Sequence, residues 1–161
     1  MTNYIYDGSL AENISFSTMI SAAQSKHGGP QPICKQKITK MIPQEEGIAI
    51  KLDGSDTRYV AVPLISCAAV IFASAQSDTA YLYHALSGTV PQQIFNTAMA
   101  ALGKVALQSV FVIYTFTNPS DKNYIADAGA LALYGIPDKN IIFAPSLLGS
   151  TFGINAQTIV G

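Results

Sequence analysis

VPLISCAAVIFASAQSDTAYLYHALSG, residues 62–88, decides how this chain folds. Two apolar runs flank one short polar break, SAQSD. Each run is rich in the apolar and aromatic residues that suit a pleated sheet. The pattern predicts two antiparallel strands, about 65–73 and 79–86. The same stretch carries one of the chain's two cysteines, Cys67, and one of its two histidines, His84. If the turn is centred between Ala75 and Gln76, Cys67 opposes His84, Ala69 opposes Leu82 and Ile71 opposes Ala80. Directly opposed Cβ atoms lie about 4.5–5.5 Å apart on one face. A one-residue slip would put the two side chains on opposite faces.

Before this hairpin, residues 9–26 show a helical period, with Leu10, Ile14, Phe16, Met19, Ile20 and Ala23 on one broad face, ended by Gly28-Gly29-Pro30. Residues 30–46 read as an irregular connection. GIAIKL (47–52) and TRYVAV (57–62) flank DGSD, and Asp-Gly between two strand-like runs signals a second hairpin. Pro63 marks a strand end or sheet edge, because it cannot donate to a ladder.

After the hairpin, TVPQQIFNTAMAALGKVAL predicts a helix with Pro91 at its start and Ile94, Phe95, Ala98, Met99 and Leu102 on one face. SVFVIYTF (109–116) is a continuous apolar run, expected as a strand buried on both faces. A further helix begins near Asn118 or Ser120 and ends at Gly135. NIIFA (140–144) and AQTIV (156–160) are late strands, with PSLLGSTFGIN a loop between them. The order is antiparallel strands first and helices later. It predicts an α+β fold, a mixed and largely antiparallel sheet or β-sandwich with helices packed outside. One domain is expected over 1–161: an N-terminal helix and connection (1–46), then an α+β core (47–161).

Composition narrows the function classes. Hydrophobic residues make up 49% and charged residues 12%, net charge is -1, and Arg58 is the sole arginine. Nucleic-acid binding needs a clustered cationic surface, so it is disfavoured. Lys35, Lys37 and Lys40 form one basic cluster, which reads as a solvated segment. No apolar stretch reaches the roughly 18–20 residues of a membrane span. The N-terminus lacks a basic region followed by an apolar core, so no signal peptide is expected. That leaves a cytoplasmic protein, or an effector exported by a machine that reads an unstructured N-terminus. Two cysteines make no disulfide framework. Cys34, Cys67, His27 and His84 lack the close pair spacing of a zinc site, so neither metal nor cofactor is expected.

A thiolate is the reactive form of cysteine, and an adjacent imidazole can take the thiol proton and then hold the anion. Ser66 and Cys67 follow Pro63, where exposed backbone N–H groups could support an oxyanion. The ordinary alternative stands beside this one. Cysteine is among the most often buried residue types, and a histidine can end a strand without any chemical role. Tyr81 and Tyr83 read as sheet packing, and Cys34 as a thiol on the irregular connection with no base beside it.

The segment LISCAAVIFASAQSDTAYLYHALSG resembles the cysteine-dependent glutamine deamidases typified by the chemotaxis protein CheD. In that pattern a Gly/Ser-Cys follows a short apolar lead-in, and a histidine ends the next strand seventeen residues later, as His84 does after Cys67. The catalytic domain of cytotoxic necrotizing factor and Burkholderia lethal factor belong to the same superfamily, with a Leu-Ser-Gly-Cys lead-in. Here the lead-in is Leu64-Ile65-Ser66-Cys67, without the first glycine of the CheD form. The order of elements over 91–144 also resembles the CheD layout, and the resemblance covers residues 57–144.

The resemblance implies a bacterial hydrolase, a toxin or effector or a housekeeping enzyme, that deamidates a glutamine side chain on a protein substrate. Cys67 would be the nucleophile, His84 the base and then the acid, and Ser66 a supporting residue. In relatives a threonine or a main-chain carbonyl orients the histidine. Some carry the threonine six residues before the cysteine, where this chain has Ala61. A backbone carbonyl of the 57–62 strand is the expected substitute. Substrate would enter past Ser66, Ser87 and Gly88. A peptidase, a transglutaminase-like enzyme and a non-catalytic binding module on the same scaffold are the competing readings.

Overall fold

The computed structural model describes residues 4–5, 14–15, 40–53, 57–62, 64, 66–116, 129–145, 152–155 and 158–160. Strands β1 (Tyr4–Ile5), β9 (Ile141–Pro145), β8 (Val110–Phe116), β6 (Ala68–Ser74), β7 (Thr79–Ala85) and β4 (Gly47–Lys51) form one sheet, in that spatial order. A second sheet runs β2 (Ile14–Ser15), β11 (Thr158–Val160), β10 (Phe152–Asn155), β5 (Arg58–Ala61) and β3 (Lys40–Ile42). β9 pairs in parallel with β1 and β8, and β3 with β5, while the remaining ladders are antiparallel. The fold is α+β with mixed, mostly antiparallel sheets.

Side-chain alternation along β6 sorts the layers. Cys67, Ala69, Ile71 and Ala73 join Ala80, Leu82 and Ile113 in a core that also contains Ile42, Ala61 and Ile154 of the second sheet. Val70 and Phe72 point the other way, with Tyr81, Tyr83, Val112 and Tyr114, under the helix α1 (Gln92–Leu102). β6 is buried along its whole length because it has a sheet on one face and a helix on the other. The continuous apolar run of β8 has the same cause. α1 seats Phe95, Ala98 and Leu102 on the sheet. Pro91 precedes it, its carbonyl accepting from the N–H groups of Ile94 and Phe95. Gly103, at φ 87°, ends it.

Four expectations are corrected. The runs 47–52 and 57–62 are not a hairpin: β4 pairs with β7, whereas β5 lies between β10 and β3 in the other sheet. Both strands feed one core from opposite sides, Ile50 from β4 and Ala61 from β5. The two inner faces of a sandwich carry the same alternation as two strands of one hairpin. Residues 40–42, expected as irregular, form β3. Ile14 and Ser15, expected in a helix, are a strand paired with Ile159 and Thr158, and a β-branched residue at a pairing edge overrides a helical period. Residues 152–155, expected in a loop, form β10 beside β5. The rest of the 9–26 helix, Lys35, Lys37 and the helix start at Asn118 or Ser120 lie outside the described residues. Residues 129–133 are helical and lead to Gly135, at φ 106°.

Candidate active site

β6 and β7 are adjacent and antiparallel as expected, but the register is shifted. His84 faces Ala69, not Cys67, and Ile71 faces Leu82. The turn is one residue further along because β6 continues through Ser74. That hydroxyl is satisfied within the fold, 2.7 Å from Ser109 Oγ and accepting from the Gln76 N–H at 3.1 Å. A residue counted as part of the polar break is therefore strand. The change moves Cys67 by two positions relative to His84, which keeps both on one face. Cys67 lies one residue before β6, past the ladder's last rung at Ala68–Ala85, and packs in the core on the same side as Ala69, the residue that faces His84. Ala69, between them, adds only a methyl group.

His84 is 1% exposed and fixed at three points. Its N–H donates to the Glu46 carbonyl at 3.0 Å, and its carbonyl accepts from the Glu45 N–H at 2.8 Å. Its ring Nδ1 lies 2.6 Å from the carbonyl oxygen of Ile42. A carbonyl only accepts, so Nδ1 carries the hydrogen and the neutral ring presents a lone pair at Nε2. Nε2 is buried and, among the described residues, has no hydrogen-bond partner, the Cys67 sulfur included. Buried polar atoms are rarely left unpaired. The orienting carbonyl comes from β3 rather than the expected 57–62 strand. Ile42 pairs with Ala61 of that strand in the parallel β3–β5 ladder, so the group lies one strand over from the expected place.

Cys67 is a free thiol, 5% exposed. Ser66 is exposed at the bend before it, and Ser87 is exposed at φ 53°. Gly88, expected on the same open rim, is buried, and its carbonyl accepts from the Tyr114 hydroxyl at 2.7 Å. Tyr81 and Tyr83 lie on the helix-covered face, away from His84. Burial raises the pKa of both phenols above the ordinary value, and Glu45 adds to the shift at Tyr83. Cys34 and His27 lie outside the described residues. Among the described residues no three His, Cys, Asp or Glu side chains group to hold a metal ion, and no helix is long and apolar enough to cross a membrane.

Two groups at this site escaped sequence reasoning. The Ile42 carbonyl is main chain, and its one signal was Pro43, which biases the preceding residue toward extended backbone. Thr115 sat inside an apolar run that read as strand core. It is fully buried, accepts from the Ala69 N–H at 2.8 Å and donates to the Ala69 carbonyl at 3.1 Å.

No protein-family model matches this chain, and no curated protein matches it in sequence. Among solved structures, the crystal structure of Neisseria meningitidis protein NMB0706, of the family model DUF152, is similar to it. The TM-score is 0.38 at 10% identity, covering 92% of this chain and 64% of that one. The chain thus spans less than two thirds of that protein's length.

Proposed function

We propose that this protein is a cysteine amide hydrolase that converts a glutamine side chain on a protein substrate to glutamate, in the manner of the CheD and necrotizing-factor deamidases. One observation carries the reading. His84 is held through Nδ1 by a main-chain carbonyl, with a buried Nε2 that has no partner among the described residues, on the face that also bears the free thiol of Cys67. A base oriented by a third group, beside a nucleophile, is the general plan of covalent acyl transfer.

In the proposed reaction His84 Nε2 takes the Cys67 proton and the sulfur attacks the carboxamide carbon. The C–N bond breaks, His84 returns the proton to the leaving nitrogen, and ammonia departs. Water then attacks the thioester, giving up its proton to His84, and the C–S bond breaks to release glutamate and the thiol. Backbone N–H groups at Ser66 and Cys67 are the proposed oxyanion donors. The 5% exposure of Cys67 makes motion of the covering residues a condition for catalysis. The same burial is what favours the non-catalytic alternative.

The test incubates the protein with glutamine-containing proteins and reads their peptides by mass spectrometry together with ammonia release. Deamidation adds about 1 Da at a glutamine, whereas a peptidase cuts the chain and a transglutaminase joins two chains. Modification that persists at the native level in Cys67→Ala would overturn the mechanism. No modification of any substrate, with an unreactive thiol, would leave the binding module.

A further inference from the structure

The ladder between β6 and β8 stops at Val70 and Tyr114. β8 itself continues, keeping its pairing with β9 through Thr115–Ala144 and Phe116–Pro145. At the next rung, where Ala69 would meet the backbone of β8, the Thr115 hydroxyl takes both main-chain groups of Ala69. A side chain stands in for the strand, so β6 parts from β8 just as it leads back to Cys67. One residue earlier on β8, the Tyr114 hydroxyl holds the Gly88 carbonyl beyond the end of β7. Adjacent residues of β8 thus grip both arms of the hairpin that carries Cys67 and His84.

We infer that Thr115 is a positioning residue for the Cys67–His84 pair. The inference rests on reading the two as nucleophile and base. Ala69 faces His84 across the β6–β7 ladder and lies two residues from Cys67. By clamping both polar groups of Ala69, Thr115 fixes where the start of β6 lies against His84. Valine has the same shape as threonine and no hydroxyl. It would leave a buried N–H and carbonyl unpaired, and such groups seek new partners by moving. Serine keeps the hydroxyl and should keep the clamp.

The test needs no substrate. Iodoacetamide labels the native protein at neutral pH, and mass spectrometry reads Cys67 separately from Cys34. The measured quantity is the factor by which His84→Ala slows labelling of Cys67, taken in each Thr115 background whose circular dichroism is native. We expect that factor to be about tenfold or more with threonine, similar in Thr115→Ser, and to fall to about twofold or less in Thr115→Val. A merely structural Thr115 would lower stability and leave the factor unchanged, and an unchanged factor in folded Thr115→Val overturns the inference while sparing the pair. If His84→Ala has no effect even with threonine in place, the pair fails and this role with it. Should Thr115→Val not fold, Thr115→Ser decides: loss of the factor there, with the hydroxyl retained, overturns the inference.

Discussion

The ring of His84 stands on the six-stranded sheet, and the carbonyl that holds it, Ile42 O at 2.6 Å, belongs to the five-stranded one. The two sheets are thus joined at the candidate base by a directional bond as well as by apolar packing. Ile42 has only three residues, Pro43, Gln44 and Glu45, before Glu46 docks on the His84 N–H. This short link carries the chain from one sheet to the other and wraps the histidine on its way. Glu45, at φ 63°, makes the turn.

His84→Asn separates the structural part of this arrangement from the chemical part. An asparagine amide N–H can take the place of Nδ1–H toward Ile42, but nothing replaces Nε2. Alanine takes the ring N–H away from the buried Ile42 carbonyl. We expect His84→Asn to unfold at higher denaturant than His84→Ala, by about 1 kcal/mol, with both equally inactive in deamidation. Equal stability of the two variants would mean that the 2.6 Å contact contributes nothing to folding.

Nucleophile and base act as a unit, so their losses should not add. Cys67→Ser and His84→Ala should each lower kcat/KM by about a hundred-fold to ten-thousand-fold, and the double variant should be no worse than the poorer single one. Initial rates of ammonia release measure this. Multiplying losses would show that the two side chains work independently.

How far the residues alone could go is visible at this pair. The two apolar runs around Cys67 and His84, joined by one short polar break, were enough to predict neighbouring antiparallel strands, and a turn inside that break was enough to put both residues on one face. It could not give the register. Ser74 looked like turn and is strand, since its hydroxyl finds partners in Ser109 and Gln76. The crossing from β4 to β5 was invisible for a related reason: inward-facing residues look alike whether their partner is the adjacent strand or the opposite sheet. Long-range pairings of short segments, such as Ile14 with Ile159, leave no local pattern. The Ile42 carbonyl belongs to no side chain at all.

Gly47 should resist substitution because of Tyr81. The residues are diagonal neighbours across β4 and β7, and a Cβ at Gly47 would run into the Tyr81 ring and hydroxyl. The ring covers an edge-strand glycine, a recognised device of sheet edges. Gly47→Ala should destabilise by about 1–3 kcal/mol through overpacking. In a Tyr81→Ala background the clash is gone, and alanine should be neutral or better than glycine, by up to about 1 kcal/mol. Urea midpoints of the four proteins read the sign change. A cost that persists without the ring would assign the intolerance to the backbone instead.

Alkaline pH should weaken the fold through Tyr81 and Tyr83. Burial raises both phenol pKa values above the ordinary one, with the Glu45 carboxylate and Tyr81 adding to the shift at Tyr83. A group whose folded pKa is raised holds its proton more tightly when folded. Its contribution to stability is therefore complete below the unfolded value of about 10, and is lost as pH climbs from there through the folded value. Phenylalanine at both positions keeps the packing under α1 and removes the titration. Native protein should lose stability above about pH 10 more steeply than Tyr81→Phe/Tyr83→Phe, while the two curves run parallel near neutrality. The lysines ionise in the same range in both proteins, so the difference between the curves isolates the phenols. Glu45→Gln should lessen the steepness by a smaller amount, since the carboxylate is the second cause at Tyr83 and no cause at Tyr81. Denaturant midpoints at several pH values between neutrality and strong alkali make the comparison. Curves that stay parallel over the whole range would mean that the two phenols ionise as readily folded as unfolded, against the burial of both rings beneath the helix.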